Sequence, residues 1–245
     1  MTPITDFHTH LAAPGAIVAV DIDRFEPRPH MLYAVGLHPW RVTAADARLD
    51  RLEALAYHDQ VVAVGETGMD ALRGASLDVQ REAMRRHIIV AEHVGKPLVV
   101  HCVRTSQQII KLWRDTAPHH VALVVHGFRG NERVAQALLN EGFYLSFGEH
   151  FNPRALAVTP LERLLVETDD APVAIEQVAA TVAAQRGIDR GDLLTQVTRT
   201  ATTLVLTQFL MTDLGLIGKK TARQAHVMDL LQAVARLLMC YCLWR

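Results

Sequence analysis

The stretch PLVVH, residues 97–101, is an apolar run that ends in a histidine, and ALVVH at residues 122–126 repeats this pattern. Near-continuous apolar runs are typical of parallel strands that are buried on both faces. Six further segments are predicted to be strands, namely ITDFH (4–8), AIVAV (16–20), LYAVG (32–36), VVAVG (61–65), FYLSF (143–147) and RLLVE (163–167). Several connecting segments, most clearly residues 80–95, have helical spacing. The pattern therefore favours an α/β fold of the (β/α)8 TIM-type barrel class over an open doubly wound sheet.

Two connections of the predicted barrel are too short for full crossover helices. LAAPG (11–15) separates the first two strands, and DIDRFEPRPHM (21–31) separates the next two. We therefore expect an abbreviated first quarter with loops or single turns. A capping pair, Thr43 with Asp46, is predicted to open the helix before VVAVG, and Asn131 is predicted to cap the helix before FYLSF. Residues 1–211 are assigned to the barrel and 212–245 to a C-terminal helical tail, whose apolar stripe either packs outside the barrel or forms a dimer contact.

Composition limits the classes of function. The chain has 245 residues, half of them hydrophobic, and a formal net charge of −1, so a large core is expected and no global attraction to nucleic acid or anionic lipid. Any phosphate binding must then be local. The cysteines (Cys102, Cys240 and Cys242) form no disulfide framework or zinc motif, which favours a reducing, cytoplasmic location. We expect no signal peptide and no membrane span.

The ends of the predicted strands carry the residues that decide the chemistry. Active sites of such barrels lie at the C-terminal strand ends. The residues there are metal-ligand or proton-transfer types: His8, His10, His38, Glu66, His101, His126 and Asp169. His8 and His10, two residues apart in DFHTHL, project from the same face of an extended strand. The set exceeds the needs of one tetrahedral ion, which points to two cations about 3.5–4 Å apart with a bridging carboxylate.

A single histidine at a strand end is equally compatible with a core residue bonded to a carbonyl. The set is harder to explain in this way, because the other histidines fall in loops or helices: His30, His58, His87, His93, His119, His120, His150 and His226. Those are expected to be ordinary surface or helix residues.

Six motifs together resemble the TatD family of metal-dependent hydrolases, within the amidohydrolase-like barrel group. They are DFHTHL, GLHPW, VGETGMD, DVQREAMRRHIIVAEHVGKPLVVHCVR, VVHGFRG and LLVETDDAP, in family order over about residues 4–205. The resemblance implies a two-metal hydrolase, usually described as a deoxyribonuclease. The chain departs from the family pattern in its short first units, in HGFRG where HCFSG is common, and in the tail after residue 211.

By this resemblance, the H-x-H pair matches His8 and His10, the bridging carboxylate matches Glu66, and the acidic residue of the ETD motif matches Asp169. The two later histidines of the family match His101 and His126. We expect His8, His10, Glu66 and Asp169 to hold one cation, and Glu66, His101 and His126 to hold the other. Asp169 would also accept the proton of the attacking water.

Three other residues are expected around this centre. Arg104 and Arg129 either hold phosphate by paired hydrogen bonds or form salt bridges at the rim. His38 supports the site or touches substrate. Histidine-rich ligation suits zinc or manganese, although the family is usually assayed with magnesium, so the ion stays open.

Two other functions remain. An amidohydrolase-type barrel could hydrolyse a small-molecule lactone, amide or phosphoester with the same metals, and the near-neutral charge favours this over processive work on DNA. A catalytically dead scaffold is disfavoured, because all the ligand types are present. The expected substrate is nucleic acid, bound locally and away from any membrane, and the oligomeric state stays open.

Overall fold

The computed structural model describes residues 3–118 and 121–213, with side chains as far as residue 206. The strands are β1 (Asp6–Thr9), β2 (Ala16–Asp21), β3 (Leu32–Gly36), β4 (Val61–Asp70), β5 (Leu98–Val103), β6 (Leu123–Val125), β7 (Tyr144–Phe147) and β8 (Leu164–Val166). The α-helices are α1 (Leu52–Ala56), α2 (Leu77–Val94), α3 (Ser106–Thr116), α4 (Glu132–Asn140), α5 (Pro153–Val158), α6 (Ile175–Arg186) and α7 (Arg190–Asp213). Every predicted strand is confirmed, and β4 is longer than predicted.

The strands form one parallel sheet in chain order, from β1 to β8. The two edges of this sheet meet at the C-terminal ends of β1 and β8, where Thr9 and Asp169 form a parallel bridge. The His10 N–H donates to the Asp169 carbonyl at 3.0 Å, and the Asp169 N–H donates to the His8 carbonyl at 2.9 Å. The predicted (β/α)8 barrel is therefore confirmed, and its seam lies at the end that carries the histidines.

The first quarter of the barrel is abbreviated, as predicted. Within this described part of the chain, a loop joins β1 to β2, and a single 3-10 turn, Ile22–Arg24, follows β2. Asp46 caps the 3-10 helix that precedes α1, and its carboxylate accepts the Thr43 N–H and hydroxyl. Asn131 caps α4 by accepting the Val134 N–H at 3.0 Å. The predicted cap at Asn131 is confirmed. Of the predicted pair, Asp46 is the capping residue, and Thr43 is bonded to its carboxylate.

A buried histidine on α2 fixes the backbone beside the site. His87 Nε2 accepts the Leu37 N–H at 3.0 Å, and Nδ1 lies 2.8 Å from the Ala83 carbonyl, to which it donates in the neutral ring. Burial lowers the pKa of His87 to about 4, so the ring is neutral at physiological pH. His87 is thus a structural residue that holds the chain immediately before His38.

The predicted tail lies almost wholly outside the described residues, because α7 ends at Asp213 and the description stops there. The division at residue 211 and both roles considered for the tail stay predictions. Among the described helices, none is long and apolar enough to cross a membrane.

Candidate metal centre

The residues predicted from the strand ends lie together at the C-terminal mouth of the barrel. Glu66 has five imidazoles around its carboxylate. Its Oε1 faces His126 Nε2 at 2.7 Å, His38 Nε2 at 3.0 Å and His101 Nδ1 at 3.1 Å. Its Oε2 faces His8 Nε2 at 3.6 Å and His10 Nε2 at 3.5 Å. This carboxylate is therefore the centre of the cluster.

Glu66 lies in an irregular part of β4. The register passes from Val64 opposite Leu98 to Thr67 opposite Val100, so β4 contains one more residue than β5 in this interval. Such a bulge changes the direction of a side chain and is common beside active sites. The register shift explains how Glu66 reaches the barrel axis from the middle of a fully buried strand.

Glycines on both sides of Glu66 allow β4 to approach β5 closely. A Cβ at Gly65 would lie 2.5 Å from the Val99 carbonyl oxygen, and one at Gly68 would lie 2.1 Å from the His101 carbonyl oxygen. Both glycines also have positive φ, 129° and 136°. Steric contacts with β5 therefore require glycine at positions 65 and 68, in addition to the chemical role of Glu66 between them.

Asp169 completes the half of the cluster that adjoins β1. Its Oδ1 lies 3.7 Å from His8 Nε2 and 3.5 Å from His10 Nε2. Its φ of 54° is in the left-handed region, which aspartate tolerates better than most residues. The neighbouring Asp170 is exposed. The seam hydrogen bonds therefore hold Asp169 facing the histidines.

Two buried carboxylates that the sequence analysis did not single out support the histidines from behind. Glu167 Oε1 accepts the Gly127 N–H at 2.6 Å and lies 3.4 Å from His126 Nδ1. Asp70 Oδ2 lies 3.2 Å from His101 Nε2. A carboxylate behind an imidazole fixes the tautomer and directs the other nitrogen to a metal. Both residues lie in the quoted motifs, VETDDAP and VGETGMD, and their acidic character inside apolar segments was the available signal.

The protonation states of the metal-free cluster follow from burial and from the charges around Glu66. Burial lowers the pKa of His8 well below its usual range, so His8 is neutral, which is the form that binds metal. Burial disfavours the charge on Glu66, but the His126 charge and hydrogen bonds from nearby histidines hold its pKa well below normal. Burial also opposes a charge on His126, yet Glu66 and Glu167 raise its pKa well above normal. Burial raises the pKa of Asp169.

Unsatisfied buried atoms indicate what the cluster lacks. Both ring nitrogens of His8 and Glu66 Oε2 are buried without a hydrogen-bond partner in the described part of the chain. Buried polar atoms are normally satisfied, and leaving one unpaired costs about 1–3 kcal/mol. A divalent cation would take His8 Nε2, which faces Glu66 and Asp169, together with Glu66 Oε2, so the residues present fit a metal.

The atoms group in three ways that suit an ion. Sets with ligand atoms within 4.8 Å of one another are His8, His10 and Glu66; His8, His126 and Asp169; and His38, Glu66 and His101. His38 was expected to support the site or touch substrate, and its position also makes it a possible ligand. Histidine 126 groups with the β1 side of the cluster as well as contacting Glu66.

The two predicted arginines border the mouth. Arg104 and Arg129 are exposed, and neither forms an ion pair with another described residue. Arg129 lines a cleft of about 220 Å³ together with Asp169 and Asp170. The structure therefore leaves both guanidinium groups available to an anion at the mouth.

A nearly closed parallel barrel with histidine and carboxylate side chains that converge at its C-terminal mouth is typical of a class of metal-binding barrel proteins. The family model described as TatD-related DNase matches residues 22–205, and the chain belongs to this family. The matched range contains five of the six motifs that carry the resemblance, and DFHTHL precedes it.

Individual relatives are similar over part of their length. The chain is 38% identical over 151 residues to an uncharacterized metal-dependent hydrolase TatD of Mycobacterium tuberculosis, covering 56% of each protein. It is 30% identical over 158 residues to the 3′-5′ ssDNA/RNA exonuclease TatD of Salmonella typhimurium, covering 58% of each. The chain thus spans little more than half the length of these curated relatives. A TatD homologue from Escherichia coli K12 has the same fold, with a TM-score of 0.67 and 22% identity, over 78% of this chain and 86% of that one.

Proposed function

We propose that the chain hydrolyses phosphodiester bonds of nucleic acid by means of two divalent cations at the barrel mouth. The observation that carries the proposal is the arrangement around Glu66, where imidazoles surround one buried carboxylate and where His8 Nε2 and Glu66 Oε2 have no hydrogen-bond partner among the described residues. The name of the Salmonella relative, a single-stranded DNA and RNA exonuclease, supports the choice of bond.

We assign His8, His10, Glu66 and Asp169 to one cation, and Glu66, His101 and His126 to the other, with His38 close enough to join the second set. When bound there, two such ions, whether zinc, manganese or magnesium, would supply Lewis acidity for a phosphoryl oxygen and would lower the pKa of a water. Glu66 contributes charge to both sets, because its two oxygens face different histidines. Glu167 and Asp70 keep the supporting ring nitrogens of His126 and His101 protonated.

Asp169 is assigned the role of proton acceptor. It lies at the edge of the cluster, with a quarter of its side chain exposed, whereas His8 is completely buried. A carboxylate in that position reaches both the ligands and an incoming water. Arg104 and Arg129 are assigned to phosphate, because a guanidinium group without an ion pair can form two parallel hydrogen bonds to phosphate oxygens.

The test compares metal content with activity in the full chain. The purified protein is analysed for zinc, manganese and magnesium, then assayed on single-stranded DNA, double-stranded DNA and bis(4-nitrophenyl) phosphate. His8→Ala should lose metal and activity on all three. The matched control is His93→Ala, since His93 is an exposed histidine paired with Glu53 on the outer surface, and this variant should retain both.

The alternative substrate class gives a different result. Metal-dependent hydrolysis of a lactone or an amide, without hydrolysis of any phosphodiester, would refute the proposal and support the amidohydrolase-type function. Full metal loading without hydrolysis of either class would support a scaffold.

A further inference from the structure

The exposed apolar side chains are concentrated at the barrel mouth. In the described part of the chain, the exposed large hydrophobic residues are Leu11, Trp40, Tyr57 and Leu72. Leu11 follows the H-x-H pair after β1, Trp40 follows β3, and Leu72 follows β4. Tyr57 alone precedes a strand, at the opposite end of the barrel. Exposed apolar groups gathered beside a polar site are characteristic of a binding surface.

Trp40 is fixed within this surface. Its indole N–H donates to Asp70 Oδ2 at 2.6 Å, although 44% of the residue is exposed. The ring meets His38 and His101 edge to face, with centroid separations of 4.7 and 5.6 Å. The Arg73 guanidinium carbon lies 4.8 Å from the ring centroid. The indole is therefore immobilised one side chain away from Glu66, and a planar group could stack on the face that Arg73 does not cover.

We propose that Trp40 stacks an unpaired nucleobase of the substrate, with Leu11 and Leu72 as apolar flanks. This inference rests on the proposed function and assigns to Trp40 the selection of an unpaired base over a paired one. Stacking on an aromatic side chain needs an exposed base face, which a base inside a duplex shares with its neighbours. A free single strand or a frayed end offers that face.

The distribution of charge supports a nucleotide as the occupant. The apolar side chains follow strands β1, β3 and β4, where Arg73 lies over the Trp40 ring, whereas Arg104 and Arg129 follow the next two strands, β5 and β6. A nucleotide has the same division, with a flat apolar base at one end and an anionic phosphate at the other. A strand bound with its base on Trp40 would direct its phosphate past Glu66 toward the arginines. A purely apolar ligand would leave the arginines unused.

The experiment measures binding in the full chain, with chelator and again with divalent ion. Fluorescence anisotropy follows a labelled oligothymidylate of about eight nucleotides and an abasic strand of equal length. Trp40→Ala should weaken binding of the thymidylate about 5- to 150-fold, and binding of the abasic strand much less. Tyr57→Ala removes an exposed aromatic ring from the opposite end of the barrel and should change neither.

Trp40→Phe separates stacking from structural support. Phenylalanine retains a stacking ring but cannot donate to Asp70. The inference expects this variant to bind the thymidylate much more tightly than Trp40→Ala does. Equal loss in both variants, on the normal and abasic strands alike, would show that Trp40 acts only by holding Asp70 and would overturn the inference.

Two other results also overturn it: no measurable binding of the thymidylate by the wild type, or equally tight binding of the matching duplex. Hydrolysis of bis(4-nitrophenyl) phosphate distinguishes this failure from failure of the proposed function. A wild type that cleaves this ester, with Trp40→Ala binding the thymidylate normally, refutes the stacking alone. A wild type that shows Trp40-dependent binding but cleaves no phosphodiester supports the stacking and refutes the hydrolase.

Discussion

Replacing Asp169 by asparagine should abolish most turnover while leaving the fold intact. The side-chain oxygen that remains can still face His8 and His10, which lie 3.7 and 3.5 Å from Oδ1 in the wild type. The seam hydrogen bonds use the backbone of Asp169, so the substitution does not remove them. Asparagine also tolerates the φ of 54°. What is lost is the negative charge and nearly all the basicity.

Removal of a general base typically slows a reaction by about 10²–10⁴-fold, which corresponds to about 3–5 kcal/mol in the barrier. We expect kcat of Asp169→Asn to fall by this factor with at least one cation retained. In the protein without metal, burial raises the pKa of Asp169, whereas an adjacent dication favours the ionised form. The activity of the loaded wild type should therefore persist below neutral pH.

The control is Asp170→Asn, since Asp170 is adjacent in sequence but exposed. Both variants are assayed for phosphodiester hydrolysis, metal content and thermal unfolding. Asp170→Asn should remain near wild type in all three. If Asp170→Asn is the inactive variant, or if Asp169→Asn turns over normally, the base lies elsewhere and the assignment of VETDDAP is wrong.

Three further predictions concern the metals, the pH response and the bulge. Glu66→Gln should reduce the content of both cations, whereas His126→Ala should mainly reduce the content of one. If elemental analysis finds both variants fully loaded with the same number of cations, Glu66 is not shared between two ions. His87 has a folded pKa of about 4 against 6.5 in a free chain, so the unfolded state binds the proton first. The metal-free protein should then lose about 3 kcal/mol of unfolding free energy as pH falls through this interval. Urea unfolding of His87→Gln at several pH values should show no such loss. If the unfolding free energies of the wild type and the variant depend on pH in the same way, His87 does not cause the loss. Gly68→Ala should destabilise the fold more than Gly142→Ala, because a Cβ at 68 would lie 2.1 Å from the His101 carbonyl oxygen, whereas a Cβ at 142 meets nothing within 4 Å. Both glycines have positive φ, 136° and 80°. Equal melting temperatures would refute the steric argument.

The fold was predictable because strands buried on both faces need apolar side chains at nearly every position. PLVVH and VVAVG show this directly, and short connections such as LAAPG exclude a helix by length alone. The strand-end residues were predictable for a related reason. A parallel barrel places all C-terminal strand ends at one mouth, so chain order alone brings His8 and Asp169 together.

Other features depend on register and packing, which local sequence does not specify. The bulge that directs Glu66 inward is a difference in register between β4 and β5. Gly65 and Gly68 are the sequence feature that indicates where it lies. Glu167 contacts His126 across a gap of 41 positions in sequence, so its supporting role is visible only in three dimensions. His87 looked like an ordinary helix residue, and its bond to Leu37 depends on how α2 packs.

The seam between β1 and β8 connects ion binding to local breathing of the barrel. Its two backbone hydrogen bonds flank the Thr9–Asp169 bridge, and they join His8, His10 and Asp169, which we propose as ligands of one cation. Local opening usually costs far less than global unfolding, and each opening here would separate ligands of one ion. An ion that binds only the closed form stabilises the pairing of β1 with β8. The amide protons of His10 and Asp169 should accordingly be among those whose exchange with solvent slows most when the cation is added.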